Sequence, residues 1–448
     1  MKLNNAKLIN KASAEALILC YSIVLVVALC LFGSGNEAFA KLVLIGFAPL
    51  IFKPECLIGP IFFADTFSNY VLVGPAQSLS RYLILFFIIG VLMKMMFTSK
   101  MMRADFWFVS IVLMVLLGLV FSCYGLFGYT ALPFTYLYNL LYFFCLLNCS
   151  VKATSNVMGQ LWSFTILSLL YSIWFVLKNG LDVFVEGRVG VFEEGVNANT
   201  IAKGLCTLAV IVLAHFIINN FKQKILHLGL LMLSIFVLFL TGSRTGFIAF
   251  FIAAAFAFLY WLRMSKKRMG TAIVIMLVFF IGIYYLYGYM MEEFPTLMER
   301  FTVEDVVASG GTGRADVWSA YMTHYFPDYW LFGIGFDPLN MFYAAEAVNG
   351  IGHGAHNILI DILSASGLVG LTLFTTVYVR GFLDMKNGIK VNRNIFIPLA
   401  MMIGILATGI GENVFRGRAL WFAISLGALL LKERNAQIEL EMKETENG

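Results

Sequence analysis

The sequence contains few charged residues and lacks the strand patterns of a transmembrane barrel. Asp, Glu, Lys and Arg make up 13% of its 448 residues, whereas hydrophobic residues make up 60%. Because soluble domains carry roughly 25% charged residues, this composition excludes an ordinary water-soluble protein. Short segments of alternating polarity are missing, and the apolar runs are long enough to cross a bilayer as helices. The composition therefore predicts an all-α fold, a polytopic transmembrane helical bundle.

Other patterns that the sequence lacks argue against several kinds of site and partner. The seven cysteines form no CxxC pair and lie mostly in apolar runs, which is typical of small buried side chains rather than of a disulfide framework. No basic cluster alternates with aromatic residues, so nucleic acid is not expected as a partner. The polar loops contain no Asp-x-Asp motif and no His/Glu cluster, so we expect no metal and no cofactor. No repeat recurs at a fixed spacing, as it often does in transporters.

The apolar runs predict roughly 12–14 membrane spans in a single integral membrane domain, residues 1–448. The third run is ambiguous, because Pro60, Asp65 and Asn69 also suit a re-entrant or interfacial segment. Residues 435–448 form a short charged tail that we expect to be mobile and cytoplasmic. The predicted spans are Glu15–Phe32, Ala38–Phe52, Leu57–Val73, Tyr82–Phe97, Phe106–Cys123, Leu132–Cys149, Val157–Leu177, Thr200–Ile218, Leu226–Leu240, Thr245–Leu262, Thr271–Tyr289, Asn357–Leu383, Ile395–Ile410 and Phe415–Leu431.

Basic residues orient these spans. Clusters of Lys and Arg fall on alternate sides of successive spans, and the side that carries them is expected to be cytoplasmic. Both termini are then inside, and one large outer loop covers residues 291–355. The other predicted outer loops are Asn179–Asn199, Thr241–Arg244 and Gly411–Arg418.

The outer loops carry arginines, although positive charge is disfavoured there. The guanidinium group binds phosphate oxygens through two parallel hydrogen bonds, whereas lysine acts as a point charge. Arginines in separate outer loops therefore indicate a convergent anion site. The alternative is that each one reaches a lipid headgroup or pairs with a nearby Glu. The residues are Arg188, Arg244, Arg314, Arg416 and Arg418, of which Arg416 and Arg418 are expected to tolerate substitution better.

The local context of Arg314 strengthens this interpretation. Arg314 follows the glycine-rich turn Ser309–Gly313, which can direct backbone N–H groups at an anion and in which Thr312 can cap the next helix. The turn lacks the Gly-Lys-Ser/Thr ending of a nucleotide P-loop. Past it, an apolar stripe that includes Trp318 has helical spacing and favours packing or an interfacial helix.

His353 and His356 stand three residues apart, just before a span. A metal site is poorly supported, because no third or fourth ligand is close in sequence. A neutral imidazole at His356 can accept a proton from a hydroxyl nucleophile or hydrogen-bond the substrate. The alternative is a histidine that caps its own helix.

Several of these segments resemble signatures of the O-antigen ligase/polymerase superfamily. The first is Arg188-Val189-Gly190-Val191-Phe192 with Asn197-Ala198-Asn199, where Ala198 replaces the family's usual proline. The second is Thr241-Gly242-Ser243-Arg244-Thr245-Gly246. The third combines Gly313-Arg314 and Trp318 with Phe332-Gly333-Ile334-Gly335, followed by His356-Asn357, Leu363 and Gly367.

The resemblance implies a glycosyltransferase of the bacterial cytoplasmic membrane, with its site on the periplasmic or outer face. The missing metal-binding motifs predict that this enzyme is metal-independent. It assigns catalytic roles to His356, Arg314 and Arg244. It assigns substrate binding to Arg188, Arg244, Arg314, Asn199, Trp318, His353 and Asn357. The implied partners are an undecaprenyl-pyrophosphate-linked oligosaccharide, an acceptor glycan, membrane lipid and a chain-length regulator protein.

Three functions remain open from the sequence. A repeat-unit polymerase is favoured, an O-antigen ligase that transfers glycan to lipid A-core is the first alternative, and a transporter or flippase is the second. The charged residues cluster at one predicted face rather than at the middle of the membrane, and this favours an enzyme over a transporter.

Overall fold

The computed structural model describes residues 16–30, 36–67, 79–98, 112, 133–149, 154–179, 198–219, 221–263, 281, 284–285, 287–289, 291–292, 295–299, 314–350, 352, 354–412, 414 and 417–446. The regular elements within these ranges are helical, which confirms the predicted all-α class. The helices are α1 Ala16–Cys30, α2 Glu37–Gly46, α3 Ile58–Phe67, α4 Leu79–Thr98, α5 Pro133–Leu147, α6 Thr154–Asn179, α7 Ala198–Ile218, α8 Phe221–Leu240, α9 Arg244–Arg263, α10 Pro295–Glu299, α11 Arg314–Ala320, α12 Phe326–Tyr329, α13 Pro338–Asn349, α14 Ile358–Gly388, α15 Phe396–Thr408 and α16 Arg418–Glu446.

Among the described helices, 5 are long and apolar enough to cross a membrane, and several shorter apolar helices accompany them. The chain is thus a multi-pass membrane protein. The predicted spans Phe106–Cys123 and Thr271–Tyr289 lie wholly or mostly outside the described residues. The total of roughly 12–14 spans therefore stays a prediction. The ambiguous third run forms the short helix α3, and two 3₁₀ turns precede it.

The centre of the bundle is formed by α7, α9 and α15, which pack against one another, and α8 packs mainly against α7. Small residues permit the close approach of these helices. Gly246 and Ala253 are buried on α9, and a Cβ atom added at Gly246 would lie 2.7 Å from the Cβ of Ala202 on α7. Lipid offers apolar side chains as good an environment as a neighbouring helix does, so close packing of small residues contributes much of the association energy.

Several helix ends meet at one end of this bundle, which we call the site end. The hydroxyl of Ser243, before α9, donates to Asn199 at the start of α7 at 2.9 Å. The backbone N–H of Ile358, at the start of α14, donates to the carbonyl of Gly409 after α15 at 2.7 Å. The opposite end carries the ion pair between Lys94 and Glu55 at 3.1 Å.

Residues 314–350 form a small helical layer with a core of its own. Val317 and Tyr321 are fully buried there, together with Ile334 and Met341. The predicted apolar stripe after Arg314 is thus mainly a packing surface, although Met322, which belongs to it, is exposed. The hydroxyl of Tyr321 donates to the carbonyl of Leu363 at 2.9 Å and joins this layer to α14.

The helix α14 is broken at Gly367, where φ is +60°. The segment that precedes α13 docks into the break, and the N–H of Ile334 donates to the carbonyl of Ser364 at 2.7 Å. Gly333 has φ +74°, and a Cβ there would lie 2.5 Å from the Ser364 carbonyl oxygen. Both Gly367 and Gly333 must therefore be glycine, because each has a positive φ at this close contact. The Phe332–Gly335 signature therefore joins the layer to the helix that begins beside His356.

Candidate active site

Arg244 is the first residue of α9 and follows a buried turn. The N–H of Ser243 donates to the hydroxyl of Thr241 at 3.2 Å, and the N–H of Gly246 donates to the Ser243 hydroxyl at 3.4 Å. Both hydroxyl residues are buried. The small polar residues of the TGSRTG motif thus cap the helix, and Arg244 stands at its positive end, where an anion is favoured.

Arg314 begins α11 and lies against the loop that follows α15. Its Nη2 is 4.0 Å from Oε1 of Glu412. A Cβ added at Gly411 would lie 3.1 Å from Nη1 of Arg314 and 2.5 Å from Oγ1 of Thr245 on α9. The missing side chain at Gly411 therefore lets the arginine and the start of α9 come together.

The positive charge of Arg244 also acts on Arg314. Burial lowers the pKa of Arg314, Glu412 raises it, and the positive charge of Arg244 lowers it again, so that it lies below the ordinary value. A second cation close to Arg314 is unfavourable unless an anion is present. The pair is thus suited to an anionic ligand that takes hydrogen bonds from both guanidinium groups.

His356 is held in a strained backbone conformation beside Glu412. Its φ is +46°, and it is the one residue other than glycine with positive φ in the described part of the chain. The indole of Trp318 donates to the carbonyl of Ala355 at 2.7 Å and anchors the preceding residue. Asn357 caps α14 by accepting from the N–H groups of Leu359 and Ile360. Strain of this kind persists only where its surroundings impose it, and it is frequent at active sites.

Arg244, Arg314, His356 and Glu412 form a cluster, and Glu412 is at its centre. Its Oε2 lies 3.6 Å from Nδ1 of His356, and the residue is 5% exposed, whereas the His356 side chain is 32% exposed. Burial raises the pKa of Glu412, but the neighbouring His356 and two nearby cations lower it by more, so that it lies below its ordinary value. The two cations are Lys203 and Arg314. Glu412 is therefore an ionised carboxylate enclosed by the protein.

This arrangement can perform acid–base chemistry beside an anion site. A carboxylate next to Nδ1 favours the tautomer with its proton on that atom, and Nε2 is then the proton acceptor. The arginines supply donors for negative charge that develops on a leaving group. The cluster thus contains the groups from which a base, an orienting carboxylate and an anion clamp can be formed.

Of the predicted site residues, the structure brings together Arg244, Arg314 and His356. Asn199 and Asn357 lie at the same end, where they hold the α9 turn and the start of α14. The Nδ2 of Asn357 also donates to the carbonyl of Ile410 at 3.3 Å. Trp318 donates to the carbonyl of Ala355 and so stabilises the loop before His356. The predictions for Arg188, His353, Arg416 and Thr312 lie outside the described residues.

Arg418 has a different role from the cluster arginines. Its Nη1 is 2.6 Å from Oδ1 of Asp65, and their side chains are 16% and 17% exposed. The pair joins α16 to α3 across 353 residues of sequence. The expectation that Arg418 tolerates substitution better than Arg244 and Arg314 concerns transfer activity and stays a prediction. For stability, loss of Arg418 would leave a carboxylate without its counter-ion among packed helices.

Sequence reasoning missed Glu412. The sequence carries one signal for Glu412: an acidic residue placed directly after an apolar span in a chain with so few charges. Residues 411–418 match none of the signatures quoted above, so the motifs do not point to it. Another acidic residue, Asp337, is the N-cap of α13 and accepts from the N–H of Leu339 at 2.9 Å.

Comparison with protein families gives one finding. Residues 229–375 match the model of the O-antigen ligase family, a segment of about a third of the chain. The resemblance to the O-antigen ligase/polymerase superfamily is thus confirmed, and the match supports an enzyme of that type. Arg244, Arg314 and His356 fall inside the matched segment, whereas Lys203 and Glu412 fall outside it. A search of curated proteins finds no match.

Proposed function

We propose that this protein, which carries an O-antigen ligase segment, is a glycosyltransferase acting on an undecaprenyl-pyrophosphate-linked glycan. It transfers the glycan to an acceptor sugar at the outer face of the cytoplasmic membrane. The acceptor is a second lipid-linked oligosaccharide, so the protein is a polymerase of O-antigen, capsule or exopolysaccharide repeat units. The observation that carries this proposal is Glu412, which lies within 4.0 Å of both His356 and Arg314.

In the proposed reaction an acceptor hydroxyl attacks the anomeric carbon of the donor sugar. The new glycosidic C–O bond forms as the bond between that carbon and the phosphate oxygen breaks. The hydroxyl proton passes to Nε2 of His356, and the electron pair of the broken bond leaves with the lipid pyrophosphate. Glu412 beside Nδ1 stabilises the imidazolium that results.

The arginines act on the leaving group. Negative charge on the pyrophosphate increases as the bond to the sugar breaks, so donors already in place stabilise the transition state more than the bound donor. Arg244 also adds the positive end of α9. Because these cations supply the charge that Mg²⁺ provides elsewhere, we expect transfer to continue in the presence of a chelator.

The location of the site at one end of the helices suits a lipid-linked donor. The polyprenyl chain can remain in the bilayer while the pyrophosphate reaches the start of α9 and α11. Basic residues at the other end of the bundle include Lys94 at the end of α4 and Lys386 near the end of α14. They support a cytoplasmic assignment for that end and an outer one for the site.

A ligase is the second candidate, and the description of the matched family favours it. The two functions differ in the acceptor alone, since both break the same sugar–phosphate bond. One assay separates them: purified protein is given the lipid-pyrophosphate-linked oligosaccharide alone or together with lipid A-core. A ladder of polymer from the lipid-linked donor alone indicates a polymerase. Single transfer that requires lipid A-core indicates a ligase, and no consumption of donor in either reaction would contradict the proposed function.

The outer location has its own test. A single cysteine is placed at Ala315, an exposed residue of α11, in a background without native cysteines. We expect a membrane-impermeant thiol reagent to label this cysteine in cells whose outer membrane is disrupted but whose cytoplasmic membrane is still closed. Labelling only after the cytoplasmic membrane is opened would reverse the orientation.

A further inference from the structure

The turn that follows α12 supplies backbone hydrogen bonds to the break in α14. Just past the break, the N–H of Leu368 donates to the carbonyl of Trp330 at 2.9 Å. The N–H of Val369 donates to the carbonyl of Leu331 at 3.2 Å. A break in a helix leaves such groups without partners inside the helix, and hydrocarbon offers them none. The turn thus provides the partners that a break within a membrane requires.

The break lies inside the apolar part of α14. From Ile362 to Val379 the sequence has no charged residue over about 18 residues, which span roughly 27 Å as a helix. This length fits the hydrocarbon core of a bilayer, which is roughly 30 Å thick. Leu368 lies about 9 Å from the end of this run that is nearer the site. The turn that is bonded to Leu368 therefore lies at the depth of the acyl chains.

Three apolar side chains are exposed around the break. Trp330 is 48% exposed, and Leu331 and Leu368 are each 37% exposed. The turn and the helix are in direct contact here, because a Cβ added at Gly367 would lie 2.3 Å from the carbonyl carbon of Leu331. We call these three residues the break patch. Exposed apolar residues that lie side by side mark contact with another protein or with a membrane.

The break patch continues along an exposed face of α14. Leu368, Thr372, Thr376 and Val379 follow one another at helical spacing, and all four are exposed. The hydroxyl of Thr372 donates to the carbonyl of Leu368 at 2.8 Å, and the hydroxyl of Thr376 donates to that of Thr372 at 2.8 Å. Because these hydroxyls are bonded within the helix, this face of a membrane span is suited to lipid.

We propose that the turn at Trp330 and Leu331 inserts into the lipid of the membrane leaflet at the site end. Leu331 and Leu368 then lie among acyl chains, and the Trp330 indole lies nearer the headgroups, where tryptophan is enriched. Asp328, which is exposed on α12, reaches the headgroup region. The insertion anchors the layer of residues 314–350 and so fixes the height of Arg314 relative to the bilayer. It does not depend on the transfer reaction.

Nitroxide spin labels can measure this placement. Leu331→Cys, Val379→Cys and Glu346→Cys are made separately in a background without native cysteines, labelled and reconstituted into liposomes. Val379 is the control for a lipid-facing position of α14, and Glu346, exposed on α13 of the same layer, is the control for water. Oxygen concentrates in hydrocarbon, whereas a polar nickel chelate stays in water. The ratio of oxygen to nickel-chelate collisions at position 331 should match that at 379 and exceed that at 346 several-fold.

Two results would overturn the proposal. A ratio at position 331 equal to that at position 346 would place the turn in water. A label at position 331 that neither reagent reaches would show that protein, such as a second copy of the chain, covers the break patch.

Tryptophan fluorescence gives a second measurement that needs no cysteine. The fluorescence lost on reconstitution into lipids with brominated acyl chains is compared for the wild type and Trp330→Phe. The loss should be smaller in Trp330→Phe, because a tryptophan in contact with lipid has been removed. Trp318→Phe, at a half-buried position that bonds to Ala355, is the control and should leave the loss unchanged. An equal loss in the wild type and Trp330→Phe would contradict the insertion.

Discussion

Nδ1 of His356 lies 3.6 Å from Oε2 of Glu412, although 56 residues and the spans α14 and α15 separate them in sequence. Two backbone features create this approach. His356 adopts φ +46°, and the N–H of Ile358 donates to the carbonyl of Gly409. The start of α14 and the end of α15 are thereby fixed to each other, and His356 and Glu412 come from the two segments of chain that meet there.

Removal of the base or of its carboxylate should impair transfer more than donor binding. We expect His356→Ala and Glu412→Gln to lose on the order of 100- to 10,000-fold in rate, the range for general acid–base groups. Glu346→Gln, at an exposed glutamate of α13, is the control. Donor binding and transfer are measured on the same purified variants. Loss of both in His356→Ala would instead make His356 part of the phosphate site.

Glu412 should also make the fold sensitive to acid. Its pKa is lower in the folded protein than the ordinary carboxyl value. The stabilisation from its charged form is therefore complete above the ordinary pKa and is lost as pH falls through the folded-state pKa. Glu412→Gln should lose less thermal stability than the wild type over that acidic interval. An equal loss in both proteins would show that the carboxylate contributes nothing to the acid dependence.

The two cluster arginines should not be replaceable by lysine. Arg244→Lys and Arg314→Lys keep the charge but lose the planar pair of donors, and loss of one oxyanion donor costs on the order of 100- to 1000-fold in rate. Arg380→Lys, at an exposed ion pair with Asp384, is the control and should behave like the wild type. Near-normal transfer by both cluster variants would indicate that these arginines anchor the protein to lipid.

Gly411 offers a steric test of the same site. The added methyl group of Gly411→Ala would lie 2.5 Å from Oγ1 of Thr245, so the loop must move away from α9 and Arg314. Because small misplacements at an active site can cost on the order of 100-fold in rate, we expect a large loss of transfer with protein level retained. Gly229→Ala, where the methyl group meets nothing within 4 Å, should have no effect. Equal activity of the two variants would show that this loop does not position the site.

The ion pair of Arg418 with Asp65 should affect stability. Arg418→Ala leaves the carboxylate without its counter-ion among packed helices, and we expect a loss of up to about 3 kcal/mol. Combining Arg418→Met with Asp65→Asn removes both charges and should recover most of that loss. Thermal unfolding in detergent measures the effect. A double variant as unstable as Arg418→Ala would indicate that packing of the arginine stem matters more than the charge.

The sequence by itself determined the membrane character, the helical class and the positions of most described spans. Hydropathy over about 20 residues is a local property, and a bilayer accepts few backbone structures other than the helix. Arginine in a predicted outer loop is also a local anomaly, so the sequence alone singles out Arg244 and Arg314 as site candidates. The pair His356-Asn357 is also visible in the sequence, because it too is a local motif.

Only the tertiary structure decided which of these residues act together. The contact of Glu412 with His356 and Arg314 depends on how the starts of α11 and α14 lie beside the end of α15, and no pattern along the chain records it. The break at Gly367 likewise becomes visible only with the loop that fills it. The positions of the spans are determined by local hydropathy and the surrounding bilayer, whereas a site is determined by packing between segments that are distant in sequence.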